Sequence, residues 1–134
     1  MAQKNKKQAK KEVKNYLDLF YMTPNTIAAK DFAESLSEIS TLKVQLWEEF
    51  NVLEIELPNE NSIDFESIDI RFKDPSDASF IKNRGIQTIF AITLCEQDLE
   101  LLVSCFDTVI VKHDGFLCAD SDDFTPVYAG SSKR

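Results

Sequence analysis

The spacing of apolar residues along this chain changes period several times, and each change marks a boundary. Near the N-terminus, Ala9, Val13, Tyr16, Leu17, Phe20 and Tyr21 recur at intervals of three and four and are closed off by Thr23-Pro24. That spacing predicts a first helix. A second helix is expected over residues 27–39, where Ala28, Phe32, Leu36 and Ile39 form an apolar stripe and Asn25 or Thr26 caps the first turn. Beyond it the period drops to two. Leu42, Val44 and Leu46 alternate with polar residues, and Leu53, Ile55 and Leu57 alternate with Val52, Glu54 and Glu56. Such alternation predicts strands with one wet face, joined through residues 47–51. Ile63, Phe65, Ile68, Ile70 and Phe72 extend this into one or two further strands. The set forms an antiparallel meander whose exposed face is acidic.

Asp74-Pro75-Ser76-Asp77 opens a short helix, with a capping aspartate, proline at the first helical position and an acid in the first turn. Gly85 is a natural left-handed stop for it. Residues 86–94 are apolar on both faces, the signature of a central buried strand. Thr93-Leu94-Cys95-Glu96 has the spacing of a capping box for the next helix, expected to reach about Lys112 with Gly115 just past its end. Asp114-Gly115 between apolar flanks is also a hairpin signal, so the β-branched run 108–111 has a competing reading as strand. Residues 116–119 form a short apolar strand, and 120–123 leave the sheet as an acidic turn. The expected architecture is α+β. A mixed sheet of about five strands combines the meander with a βαβ-like C-terminal unit, and two N-terminal helices pack against it.

Composition adds the interior and the surface. Ten phenylalanines, three tyrosines and one tryptophan supply enough large side chains for one core, so residues 9–130 are expected to form a single domain. Residues 1–8 read as a disordered basic arm and 131–134 as a disordered tail. The formal net charge of −8 hides an asymmetry, since residues 1–14 hold six lysines against Glu12 (+5), leaving −13 on the other 120. An acidic body repels nucleic acid and anionic membrane and attracts basic partners. No apolar run approaches the ~20 residues needed to cross a bilayer. Cys95, Cys105 and Cys118 lack CxxC spacing and read as reduced thiols of a cytoplasmic protein.

The segment HDGFLCADSDDFTP (113–126) concentrates the candidate chemistry, with the chain's one histidine, a cysteine and four aspartates. His113 is expected at a helix C-terminus, where the dipole and Asp114 favour its cation. Asp120, Asp122 and Asp123 are hard oxygen ligands of the kind Mg²⁺ or Ca²⁺ takes. An EF-hand loop begun at Asp120 fails, because Thr125 stands at the glycine position and Ser131 at the final glutamate. Three isolated glycines exclude a phosphate-binding glycine-rich loop. Paired carboxylates at Glu48/Glu49 and Asp64/Glu66/Asp69 are expected on an exposed sheet face, away from any cleft.

These readings converge on a small acidic cytoplasmic protein-binding module, an inhibitor- or immunity-like adaptor without catalytic activity and without a cofactor. Its partner would be a basic protein, with neither nucleic acid nor membrane engaged. The expected contact surface combines Trp47, Glu48 and Glu49 with Asp120, Asp122, Asp123 and Phe124, an aromatic anchor beside acids. The competing reading is a small divalent-metal hydrolase that uses Asp120, Asp122 and Asp123 as ligands.

Overall fold

The computed structural model describes residues 14–39 and 42–131. The basic arm 1–8, the start of the expected first helix and the last three residues of the tail lie outside them. The fold is α+β, and the described residues form one seven-stranded sheet with three α-helices. In chain order the elements are β1 (Tyr16–Thr23), α1 (Ala29–Leu36), β2 (Lys43–Trp47), β3 (Val52–Glu56), β4 (Ser62–Ile68), α2 (Pro75–Asn83), β5 (Thr88–Cys95), α3 (Leu99–His113), β6 (Phe116–Ala119) and β7 (Val127–Gly130). Across the sheet the order is β2-β3-β4-β5-β1-β6-β7, and every neighbouring pair is antiparallel.

The expected meander is present as β2-β3-β4, and residues 88–95 are a buried strand beside it, β5. The rest departs from the sequence reading in three ways. Residues 16–23 are a strand at the heart of the sheet, where a helix was expected, so one helix rather than two precedes the meander among the described residues. An apolar run carries no decisive period, and this one fits helical spacing and a doubly buried strand equally well. Between β5 and β6 it buries Leu19 and Tyr21 on one face and Phe20 and Met22 on the other. A surface helix would bury only one stripe of them. Second, β1 separates β5 from β6. The β5-α3-β6 unit exists with its two strands mutually parallel, but they are not neighbours, and the sheet is antiparallel throughout rather than mixed. Third, the acidic turn at 120–123 leaves the sheet as expected, but the chain does not stay out of it. It turns and returns as β7.

One face of the sheet packs against α1 and α3. Phe32 of α1 and Phe106 of α3 meet Tyr21, Phe65 and Phe90 in a cluster of aromatic rings. The other face is covered only in part. There α2 and the segment 70–72 cover Phe20, Met22, Ile89 and Phe116, leaving the remainder of that face to its polar side chains. α2 starts as its sequence predicts: the Asp74 carboxylate accepts from the backbone N–H groups of Ser76 (2.8 Å) and Asp77 (3.2 Å), with proline at the first helical position. α1 is capped across the fold instead, with Asn51 of the β2–β3 turn accepting from Ala29 N (2.6 Å). The expected capping box at Thr93 does not form. Thr93 remains in β5, where its hydroxyl donates to Asp18 (3.1 Å), and a short 3-10 turn over Glu96–Asp98 precedes α3. α3 ends at His113, which settles 108–112 as helix, and Asp114 and Gly115 follow with positive φ.

Candidate functional site

Strand alternation and cross-strand register together bring carboxylates onto the uncovered face. Gln45 of β2 pairs with Glu54 of β3, Glu54 with Asp64 of β4, Asp64 with Thr93 of β5, and Thr93 with Asp18 of β1. Asp120, at the end of β6, continues the row by donating its backbone N–H to the carbonyl of Asp18 (3.1 Å). A second row places Glu56 beside Lys43 and Ser62, and a third includes Glu66. The result is a polar, largely acidic band running across six of the seven strands.

Its carboxylates disturb one another. Partial burial raises the Glu54 carboxyl above the ordinary range, and the Asp64 carboxylate opposite, with Glu56 beside it, pushes the same way. Asp120 is raised by partial burial, with added repulsion from Asp18 and Asp77, and Asp77 by desolvation together with Asp74 and Asp122. Like charges directly opposite in an antiparallel pair oppose folding. A raised folded-state pKa in an acid means a cost at neutral pH that disappears as pH falls through that value. Glu54→Gln is therefore expected to raise the melting temperature at neutral pH by about 2 °C, corresponding to roughly 0.5 kcal/mol after solvent screening. The gap should close on acidification. Thermal melts of both proteins between pH 7 and pH 4 check this, and a variant no more stable at pH 7 would mean the carboxylates do not conflict.

The residues expected to form one contact surface are split. Trp47 is 41% exposed, and Glu48, Glu49 and the 71%-exposed Phe50 follow it in the turn after β2. Asp120, Asp122 and Asp123 sit five strands away, about 24 Å at normal strand spacing. Phe124 is only 2% exposed. Its ring lies 4.7 Å from that of Phe80 and 5.9 Å from those of Phe20 and Phe72, so it anchors the turn into the core. Asp123 is committed to the same turn, accepting from the Thr125 hydroxyl (2.6 Å), which holds its carboxyl below the usual range. Among the described residues no group of three or more His, Cys, Asp or Glu side chains is arranged to hold a metal ion. The acidic band joins the two halves.

His113 and the thiols stay apart. His113 Nε2 lies 3.0 Å from Ser35 Oγ, linking the end of α3 to α1, and its carbonyl accepts from Thr23 Oγ1 (2.6 Å) and Asn25 Nδ2 (2.8 Å). Cys118 points to the opposite side of the sheet, among Phe20 and Phe116. Burial, with a smaller push from Asp120, raises its thiol to about 12, and burial raises Cys105 as well. Neither is a thiolate at neutral pH, so neither has the form a nucleophile requires.

A further polar group was not visible in the sequence. Asp98 is buried and accepts from Asn59 Nδ2 (3.0 Å) and Asn61 Nδ2 (2.9 Å), while Lys14 Nζ donates to Asn61 Oδ1 (2.8 Å). It fastens the β3–β4 turn to the start of α3. The Asn-x-Asn spacing in that turn is the only sequence trace of it.

Comparison with protein-family models, with curated proteins and with solved structures found no match to this chain. Among the described residues no helix is long and apolar enough to cross a membrane.

Proposed function

We propose that this chain is a non-catalytic binding module that receives a basic protein segment across its acidic sheet face. The observation that carries the reading is the Glu54–Asp64 cross-strand pair, placed in a band that no helix among the described residues covers. A fold that keeps like charges opposed on an open face gains from a cationic partner what it loses in isolation. Trp47 and Phe50 at one end supply exposed aromatic surface for anchoring, and Asp120 and Asp122 at the other end extend the field. Electrostatic complementarity of this kind steers association, as in small acidic inhibitor and immunity-type proteins. The three buried cysteines form no disulfide, which supports a reducing, cytoplasmic setting for such a module.

Trp47 is the chain's one tryptophan and lies at the end of the band, so it serves as a built-in reporter. A lysine-rich peptide is expected to change its fluorescence saturably at about 20 mM salt and far less at about 300 mM, where the Debye length falls well below 10 Å. Asp64→Lys should weaken the response by about tenfold, the scale of one desolvated charge contact. A response insensitive to salt, or unchanged by Asp64→Lys, would remove the basis for the acidic face as the binding surface.

A further inference from the structure

Among the described residues β2 is a terminal strand of the sheet, and its five residues, Lys-Val-Gln-Leu-Trp, form an edge next to exposed aromatic surface. Native proteins blunt such edges or use them. Lys43 alone would do the former, but exposed Trp47 at the far end of the strand and Phe50 in the turn after it work against it. We infer that β2 is a self-pairing edge, at which a second copy of this chain adds its own β2 antiparallel about a two-fold axis through Gln45.

The sequence of the strand is complementary to itself in that register. Val44 falls opposite Leu46 of the second copy, continuing the half-buried apolar row that both residues contribute to the face under α1. Lys43 falls opposite Trp47 of the second copy, an ammonium beside an indole ring. One step further along, that Lys43 meets the turn carrying Glu48 and Glu49. Lys43 makes a solvent-exposed contact with Glu56 at 3.9 Å, which it can give up or share at little cost. Each contact occurs twice by symmetry, as an isologous interface requires. Shifting the register by one residue would turn Lys43 and Trp47 away from each other and set the half-buried Val44 and Leu46 on the wet face. The two seven-stranded sheets would become one, with the acidic bands of both copies on the same face. The pairing stands on the edge strand and does not depend on the acidic face having a partner.

A disulfide at the axis tests it. Directly opposite residues of an antiparallel pair bring their Cβ atoms to about 4.5–5.5 Å, close to disulfide reach. Gln45 is exposed and the three native cysteines are buried, so Gln45→Cys adds one reactive thiol without disturbing the core. Under mild oxidation Gln45→Cys should form covalent dimer at least about tenfold faster than Lys82→Cys on exposed α2, reflecting the high effective concentration at a pre-formed contact. Sedimentation of the unaltered chain should show mass rising from monomer towards dimer with concentration, and Trp47→Asp should abolish the rise. Equal cross-linking rates for the two cysteine variants, together with a constant monomer mass, would overturn the inference. So would a chain that stays monomeric while a lysine-rich peptide shields the thiol of the Gln45→Cys variant from alkylation, since the edge would then belong to a peptide.

Discussion

Phe32→Ala is expected to lower the free energy of unfolding by about 3–5 kcal/mol, a large part of the roughly 5–15 kcal/mol that holds a domain of this kind together. Phe32 is fully buried where α1 meets the sheet. Its ring lies 4.7 Å from Phe90 and 5.2 Å from Tyr21, both edge-on, and 5.5 Å and 5.9 Å from Phe65 and Phe106. Truncation removes its transfer energy and these ring contacts, and it opens a cavity walled by rigid strands on one side and α3 on the other. Urea unfolding followed by circular dichroism measures the change. Phe50→Ala is the paired control, expected to stay within about 0.5 kcal/mol because the ring is in solvent. A loss below about 1 kcal/mol for Phe32→Ala would mean that α1 is not packed on the sheet.

Gly115→Ala should be comparably damaging for a different reason. A Cβ at position 115 would stand 2.2 Å from the Met22 carbonyl oxygen and 2.9 Å from Thr23 Cα, with φ at +92°. Neither neighbour can yield easily. Met22 lies in β1, paired on both sides, and the Thr23 hydroxyl is bonded to the His113 carbonyl. Backbone overlap added to an unfavourable φ should cost at least about 3 kcal/mol and drop the melting temperature by about 10 °C or more. Gly85→Ala, at φ +64°, carries the conformational penalty and should cost about 1 kcal/mol. A melt showing the two variants equally stable would contradict the close approach of the α3–β6 turn to β1.

Signals in the sequence are legible where the physics is local. The alternation of Leu53, Ile55 and Leu57 with Glu54 and Glu56 marks both the strand and its acidic face, because a half-buried strand writes its orientation into every second residue. Asp74-Pro75 marks a helix start because the cap is made by neighbours in the chain. Residues 16–23 cannot be read in this way. From Leu19 to Met22 the strand is buried on both faces, so after Asp18 no polar position sets its period, and what makes it a strand is the presence of β5 and β6 on either side. Thr93 fails as a cap for a related reason: pairing with Asp18 and Asp64 in the sheet outweighs one capping bond. Trp47 and Phe124, each aromatic and each near acids, look alike in sequence. Their burial differs because Phe124 faces three phenylalanines from other parts of the chain, whereas Trp47 lies on an edge strand. The acidic band is legible residue by residue, but its continuity is not. Asp18, Glu54, Asp64 and Asp120 are neighbours only through the strand order.

That band carries the functional account, and a residue-level map of binding tests it most directly. Titrating ¹⁵N-labelled protein with a lysine-rich peptide at low salt should shift amide resonances at Asp18, Glu54, Asp64, Thr93 and Asp120 first and furthest. Resonances of the exposed residues of α3, across the sheet, should scarcely move. Shifts centred on α1 or α3, or spread evenly over the surface, would contradict the acidic sheet face as the site of recognition.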